Sequence, residues 1–247
     1  MMLMLTSGVA LSETMDDLVK RGGLWYKKFT DVLFTGEISG KESGKIKDGR
    51  KDGIWLYLFE NGQIEEKVSY KDGDLHGPHT IFFEDGNLSF DCPKLNGKVH
   101  GTCLSYHVNG QLRYKSIEEN GKIIQQEFYY ENGQLQERSS YKDGKKDGLE
   151  ERYFKNGQLE AKGYYKEGKL NGSGVGYWET GKLWIKETWK NGKKEGHWET
   201  YHEDGSLFLK GDYKDNKREG SWISYEENGS VNMNLTGIYK NGIKISD

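Results

Sequence analysis

Glycine recurs in this chain with a period that leaves few folds open. Gly62, Gly86, Gly110, Gly133, Gly157, Gly181, Gly205 and Gly229 follow one another at steps of 24 residues, with one step of 23 between Gly110 and Gly133. A second series runs Gly49, Gly73, Gly97, Gly121, Gly144, Gly168 and Gly192, and Asn216 takes the next place. A third holds Gly53, Gly77, Gly101, Gly148, Gly172, Gly196 and Gly220, with Gln125 as its misfit. A fixed period of this length marks a repeat architecture, in which each unit is stabilised by its neighbours. Asn is the residue best able to replace glycine at positive φ, so Asn216 fits its series.

The glycines sit in Asn-Gly and Asp-Gly pairs, as in "YYENGQLQERSSYKDGKKDG" at residues 129–148. Between alternating segments these are the strongest short hairpin signals. Two turns in each period leave room for two short strands. The expected fold is all-β: an elongated antiparallel β-meander, a single twisted sheet of about eight 24-residue β-hairpin repeats. With strands ~4.8 Å apart, roughly 16 of them make a rod ~70 Å long. Composition agrees, since 34 Gly stand beside 16 Tyr, 9 Phe, 7 Trp and only 2 Pro. Such a chain builds a thin, aromatic-rich core. A net charge of -3 with both signs interspersed gives no footprint for nucleic acid. Nothing after residue 12 is long or apolar enough to span a bilayer.

Register follows from the turns. If Asn61-Gly62 is a two-residue turn, Phe59 faces Ile64, Tyr57 faces Glu66 and Trp55 faces Val68. A second turn centred between Gly73 and Asp74 brings Ile64 opposite Phe83. One column then alternates aromatic with aliphatic along the sheet: Phe59, Ile64, Phe83, Leu88, and on to His202 and Leu207. A second column alternates Tyr141, Gly148, Tyr165, Gly172, Trp189, Gly196, Tyr213 and Gly220. A third sets Gly44 beside Trp55 and Gly211 beside Trp222. Rings lying over a neighbouring strand's glycine mark this face as the core. The opposite face is polar on the second strand of each repeat, as at Gln158, Glu160 and Lys162, apart from a ridge of Leu58, Phe82, Tyr106, Tyr129, Tyr153, Tyr177, Tyr201 and Tyr225. The six tyrosines have two readings: a shield over the second face of a thin sheet, or a protein-binding stripe made of hot-spot residues.

The unit "G-x-W-x-x-Y-F-x-N-G-x-L", closed by "Y-K-D-G-K-x-x-G", resembles the MORN-repeat variant as found in the YwqK family of bacterial antitoxin-like proteins. The resemblance covers about residues 42 to 247. The opening "DDLVKRGGLWYKKFTDVLFTGEISGK" looks like the N-terminal segment of secreted members. The resemblance implies a β-hairpin array and a protein-binding role, with another protein, a toxin among the candidates, as partner. It supplies no catalytic residues.

Departures from the repeat are few. One residue is missing between Gly121 and Tyr129, so a bulge, shortened loop or bend is expected at 122–128. Pro78 and Pro93 fall opposite each other, which leaves one rung open because proline cannot donate to a ladder. Cys92 and Cys103 face each other in the same register, and a disulfide is expected between them. His79 joins their column, but Ser116 comes next where a fourth ligand would stand, so no metal site is expected.

The first twelve residues read as the h-region of a signal peptide without its basic n-region, with small residues at the cleavage positions before Glu13. That predicts export to the periplasm or envelope; read as a merely apolar start, the same segment leaves the protein cytoplasmic. The division expected is 1–12 as a truncated signal peptide, 13–52 as an N-terminal cap, and 53–247 as hairpin repeats with a C-terminal cap. No catalytic motif is present, paired acids such as Glu65 and Glu66 point to opposite faces, and no convergent polar pocket can be proposed. No cofactor is expected, and nothing in the sequence dictates an oligomeric state. The function expected is non-enzymatic protein interaction, antitoxin-like, by binding and masking a partner. The alternative is a structural scaffold of the cell envelope without a toxin partner.

Overall fold

The glycines of the first two series all have positive φ, between 75° and 94°. In a computed structural model that describes residues 13–247, they sit at two different kinds of turn. The expected leader at 1–12 lies outside the described residues. At the turns of the second series both residues are left-handed, as with Asp72 (φ 54°) and Gly73 (φ 91°), and the flanking pair is Lys71 with Asp74. This is the two-residue hairpin whose twist matches that of the strands. Asn216 (φ 68°) fills the glycine place as expected.

The turns of the first series, Asn61-Gly62 among them, differ from expectation. Only the glycine is left-handed; the Gly62 N–H donates to the Phe59 carbonyl and the Phe59 N–H to the Gln63 carbonyl. The Asn61 side chain accepts the Gln63 N–H at 2.9 Å instead of occupying a left-handed position itself. The loop therefore has three residues and ends in a glycine bulge. Leu58, not Phe59, pairs with Ile64, and the same shift places Tyr153 on Leu159, Tyr177 on Leu183 and Tyr201 on Leu207. The expected aromatic–aliphatic column thus does not pair; its aromatic members head the turns.

Bulges next to both turns restore the register further in. Trp55 faces Val68, Tyr57 faces Glu66 and Glu66 faces Ile81, as the sequence predicts. Beside most turns of the second series the return strand carries two extra residues, as between Leu75 and His79, where Gly77 has φ 100°. One consequence corrects the second column: Tyr141 pairs with Lys146 rather than Gly148. The pairs Gly148 with Tyr165, Gly172 with Trp189 and Gly196 with Tyr213 form as expected.

These bulges also explain the missing residue. Ile117 faces Gln125 and Glu118 faces Ile123, so this hairpin has one extra residue where its neighbours have two. Gln125 is absent from the left-handed positions because the bulge that needs a glycine is shortened there. At the prolines the ladder breaks as expected: Leu88–Asp91 ends before Pro93, and pairing resumes with Lys94 opposite Gly77.

The fold is all-β, with one 3-10 turn at Met15–Asp17 and no α-helix among the described residues. Contacts divide the chain into two compact units, meeting in sequence at Gly110 and Gln111. Within each, sequence neighbours pair antiparallel as a meander. In the first unit the hairpin of Leu18–Arg21 and Leu24–Lys27 leads into a cluster of Leu18, Phe34, Ile38, Ile46, Trp55 and Val68. In the second, Ile185, Trp198, Leu209, Trp222 and Tyr239 form the core, and the closing hairpin Gly237–Lys240 and Ile243–Ser246 pairs onto Lys217–Ser224.

Trp55 lies on Gly44 so closely that a Cβ there would stand 2.6 Å from the ring, and Trp222 lies on Gly211 in the same way. The indole N–H groups donate to the carbonyls of Lys45 (3.0 Å) and Asp212 (3.1 Å). A cation four residues earlier covers each outer face, Lys51 at 3.9 Å and Arg218 at 4.6 Å from the ring centroids.

Candidate protein-interaction face

Tyr106 ends its strand in the first unit, and Tyr129, Tyr153, Tyr177, Tyr201 and Tyr225 recur through the second; all six are half-buried. Each stands where a strand enters a three-residue loop of the first glycine series, so the repeat spaces the rings of the second unit by two strands, about 10 Å. Their hydroxyls are not equivalent. Tyr129 donates to Glu127 at 2.7 Å and Tyr201 to Glu199 at 2.5 Å, both two residues earlier on the same face. Tyr153 is similarly bonded to Glu151. Tyr106, Tyr177 and Tyr225 follow Leu104, Val175 and Ile223 instead, so no such carboxylate is at hand.

These carboxylates are held from the next strands. Arg138 Nε lies 2.8 Å from Glu127, which is 5% exposed, and Arg138 Nη1 reaches Glu151 at 3.5 Å. Lys115 adds a contact to Glu127 at 3.4 Å. The result is a chain of alternating charges over four strands, capped by Tyr129 and Tyr153. Burial resists ionisation of Glu127, but hydrogen bonds from Tyr129 and Arg138 and the nearby cations overcome it and lower its pKa. Burial and the bond to Glu127 push the Tyr129 hydroxyl up to about 12. At Glu199 the bonds from Tyr201 and His197 outweigh burial, Lys186 assists, and the pKa falls to about 2. Three ridge tyrosines are thus fixed to their own sheet, and their outer edges are left for contact.

Cys92 and Cys103 are joined, with Cα atoms 4.2 Å apart and both residues buried. The His79 ring nitrogen lies 2.7 Å from Glu66 on the same face. No group of three metal-ligating side chains occurs among the described residues, and no described helix is long and apolar enough to cross a membrane.

The tryptophan-bearing face holds a feature missed from sequence. A cavity of about 220 Å³ lies over Ala161, Gly163 and Gly176, walled by Glu150, Arg152, Tyr165, Leu170, Trp184, Ile185 and Glu187. Its signal was present: "GSGVGYW" places Gly174 24 residues before Trp198, where the repeat carries a large ring.

Compared with known proteins, residues 51–72, 123–143, 146–167, 170–191 and 194–215 match the sequence profile of a family described as MORN repeat variant. The protein is a β-hairpin repeat protein in which five segments match that profile. The unmatched interval between 72 and 123 holds both prolines and both cysteines. No curated protein matches the chain. Among solved structures, a crystal structure of TcdB2-TccC3-Cdc42 is similar at 11% identity and one of TcdB2-TccC3 at 12%, each over 74% of this chain with a TM-score of 0.21. The chain spans 13% of the length of each.

Proposed function

We propose that the protein is a non-enzymatic interaction module that binds and masks a partner protein through its tyrosine ridge. The observation that carries this is the row of half-buried rings, one per repeat, flanked by charged residues such as Glu127, Arg138, Glu151 and Glu199. Large rings at regular intervals supply contact area at low entropy cost, and a polar surround keeps the free protein soluble. Tyr177, which like Tyr106 and Tyr225 has no carboxylate two residues before it, is the one of these three with regular repeats on both sides. The resemblance to antitoxin-like proteins adds the proposal that the masked partner is a toxin.

The disulfide supports a second reading. A bridged pair is at home in an oxidising compartment, which fits an exported protein acting as an envelope scaffold without a toxin partner. The two are separated by affinity capture from the native host with wild-type, Tyr177→Ala and Tyr153→Phe baits, paired with thermal unfolding of each. A single stoichiometric partner, retained by wild type and Tyr153→Phe and lost by Tyr177→Ala at unchanged melting temperature, is the expected result. Retention by all three baits removes the ridge from the interface, and capture of envelope components alone favours the scaffold.

A further inference from the structure

Gly44, Gly163 and Gly211 occupy one and the same position of the repeat. Trp55 lies on the first and Trp222 on the third. Gly163 has no ring over it, because the residue in the corresponding tryptophan position is Gly174. The register is the same as at the other two sites, with Lys162 facing Val175 and Ala161 facing Gly176. The covering cation has changed too: where Lys51 and Arg218 lie over their rings, the equivalent residue is Leu170. A Cβ on Gly163 would meet only the tip of Leu170, at 3.5 Å, whereas one on Gly44 would meet the indole itself. Glu187 leans over Gly174 and fills part of the vacated volume. About 220 Å³ stays open above Ala161, Gly163 and Gly176.

We infer that this cavity is a seat for an aromatic side chain, Trp or Tyr, presented by a partner protein. Its floor is the one on which the fold lays its own indoles, and its walls are Arg152, Tyr165, Leu170, Trp184 and Ile185. Glu150 is held by Lys146. Glu187 has no ion pair among the described residues, and its carboxylate is placed to accept a ring N–H or O–H. That preference favours Trp and Tyr over Phe. The volume suits one ring and lies below the ~300 Å³ at which pockets enclosing a free metabolite begin. None of the ridge tyrosines lines the seat, so it stands or falls apart from the ridge proposal.

The test uses the intact protein, labelled with nitrogen-15, and N-acetyltryptophanamide as the mimic of a chain tryptophan. Titration is expected to shift the amides of Gly163 and Gly176, with affinity at least about fivefold above that of N-acetylleucinamide, a gain of the size ring contacts supply. Gly174→Trp, whose φ is ordinary for a side chain, is expected to abolish those shifts and raise the melting temperature. Gly163→Val, which copies Val68 at the same repeat position, provides a second block and is expected to weaken binding about tenfold. Unmoved glycine amides, equal binding of the leucine mimic, or unchanged binding to either variant that folds would overturn the seat. Tryptamine binding ten times or more tightly than the capped residue would overturn the partner side chain in favour of a small aromatic amine.

Discussion

At the repeat position that holds Trp55 in the first unit and Trp198 and Trp222 in the second, the intervening repeats hold His79, Cys103, Gln126, Glu150 and Gly174. The backbone barely registers the difference: the Asp-Gly turns, three-residue Asn-Gly loops and bulges recur on both sides. What changes is the means of cohesion. The tryptophan regions are held by edge-to-face rings, Trp198 with Tyr213 at 5.1 Å and Tyr213 with Trp222 at 4.9 Å. The intervening repeats use a disulfide, buried Ser116 and Ser139, and Lys146 between Glu137 and Glu150. Burial works against the Lys146 charge, but its bonds to both glutamates prevail and raise its pKa. The repeat is therefore specified by turns and bulges, and side chains in the column are free to specialise.

Truncating a ring should separate the two regions most. Trp222→Ala removes a side chain 2% exposed and leaves a cavity against Gly211; about 3–5 kcal/mol of stability should be lost in urea unfolding. Glu150→Ala, at the equivalent position, should cost less than half of that. Equal losses would show that the polar rungs are as cohesive as the aromatic ones, and the contrast would fail.

The disulfide comes next. Replacing Cys92 and Cys103 together by Ser frees a crosslink that spans 11 residues, and the expected loss is at most about 3 kcal/mol, mainly through the unfolded chain. Thiol labelling of the non-reduced wild type should modify neither cysteine, even after denaturation. Two reactive thiols under those conditions would remove the staple from the comparison.

Much of this was legible in the sequence, and the exceptions have one cause. Glycine spacing gave the strand order, the inner register and the rings on Gly44 and Gly211, because these depend on period and facing alone. The turn type was misread at Asn61-Gly62 because Asn serves equally as a left-handed residue and as a side-chain acceptor. The bulge beside that turn leaves no trace in the sequence register, since a longer loop and an extra residue cancel at Trp55 and Val68. The ridge was visible as a period, but its carboxylate partners were not: Glu127 and Glu199 look like solvent-facing acids until Arg138 and Lys186 are placed beside them.

Acidification probes that polar face. The carboxyl of Glu199 titrates at about 2 in the folded protein, against an ordinary value of 4.5 when unfolded. A depressed folded value means its stabilisation is fully present above pH ~4.5 and is lost as pH falls toward about 2. Because Lys186 is half exposed, screening reduces the expected contribution to about 1 kcal/mol. Glu199→Gln should flatten that part of the stability profile relative to wild type. An unchanged acid slope would mean that the Tyr201–Glu199 bond does not hold in solution.

The smallest effect concerns a single turn in the ring-poor stretch. At the first position of the Asp-Gly type turns, residues 48, 72, 96, 120, 143, 191, 215 and 241 are all Asp or Asn, and only Glu167 departs, at φ 51°. Asp and Asn tolerate the left-handed region because their short side chains bond locally, whereas Glu gains nothing there. The backbone N–H of Glu167 donates to Asp147 at 3.1 Å, as Asn191 donates to Asn171 and Asp215 to Glu195 in the following turns. That bond involves no part of the Glu167 side chain. Glu167→Asn should keep it, relieve the left-handed strain and stabilise the protein by about 0.5–1 kcal/mol, a fraction of the usual left-handed penalty. The matching change Asn191→Glu, beside the ring-packed repeats, should destabilise by a similar amount. If Glu167→Asn raises the urea midpoint while Asn191→Glu leaves it in place, the turn beside the empty aromatic seat opens first and limits stability. If both move it equally, the turns contribute alike, and the difference between the two regions resides in the column side chains alone.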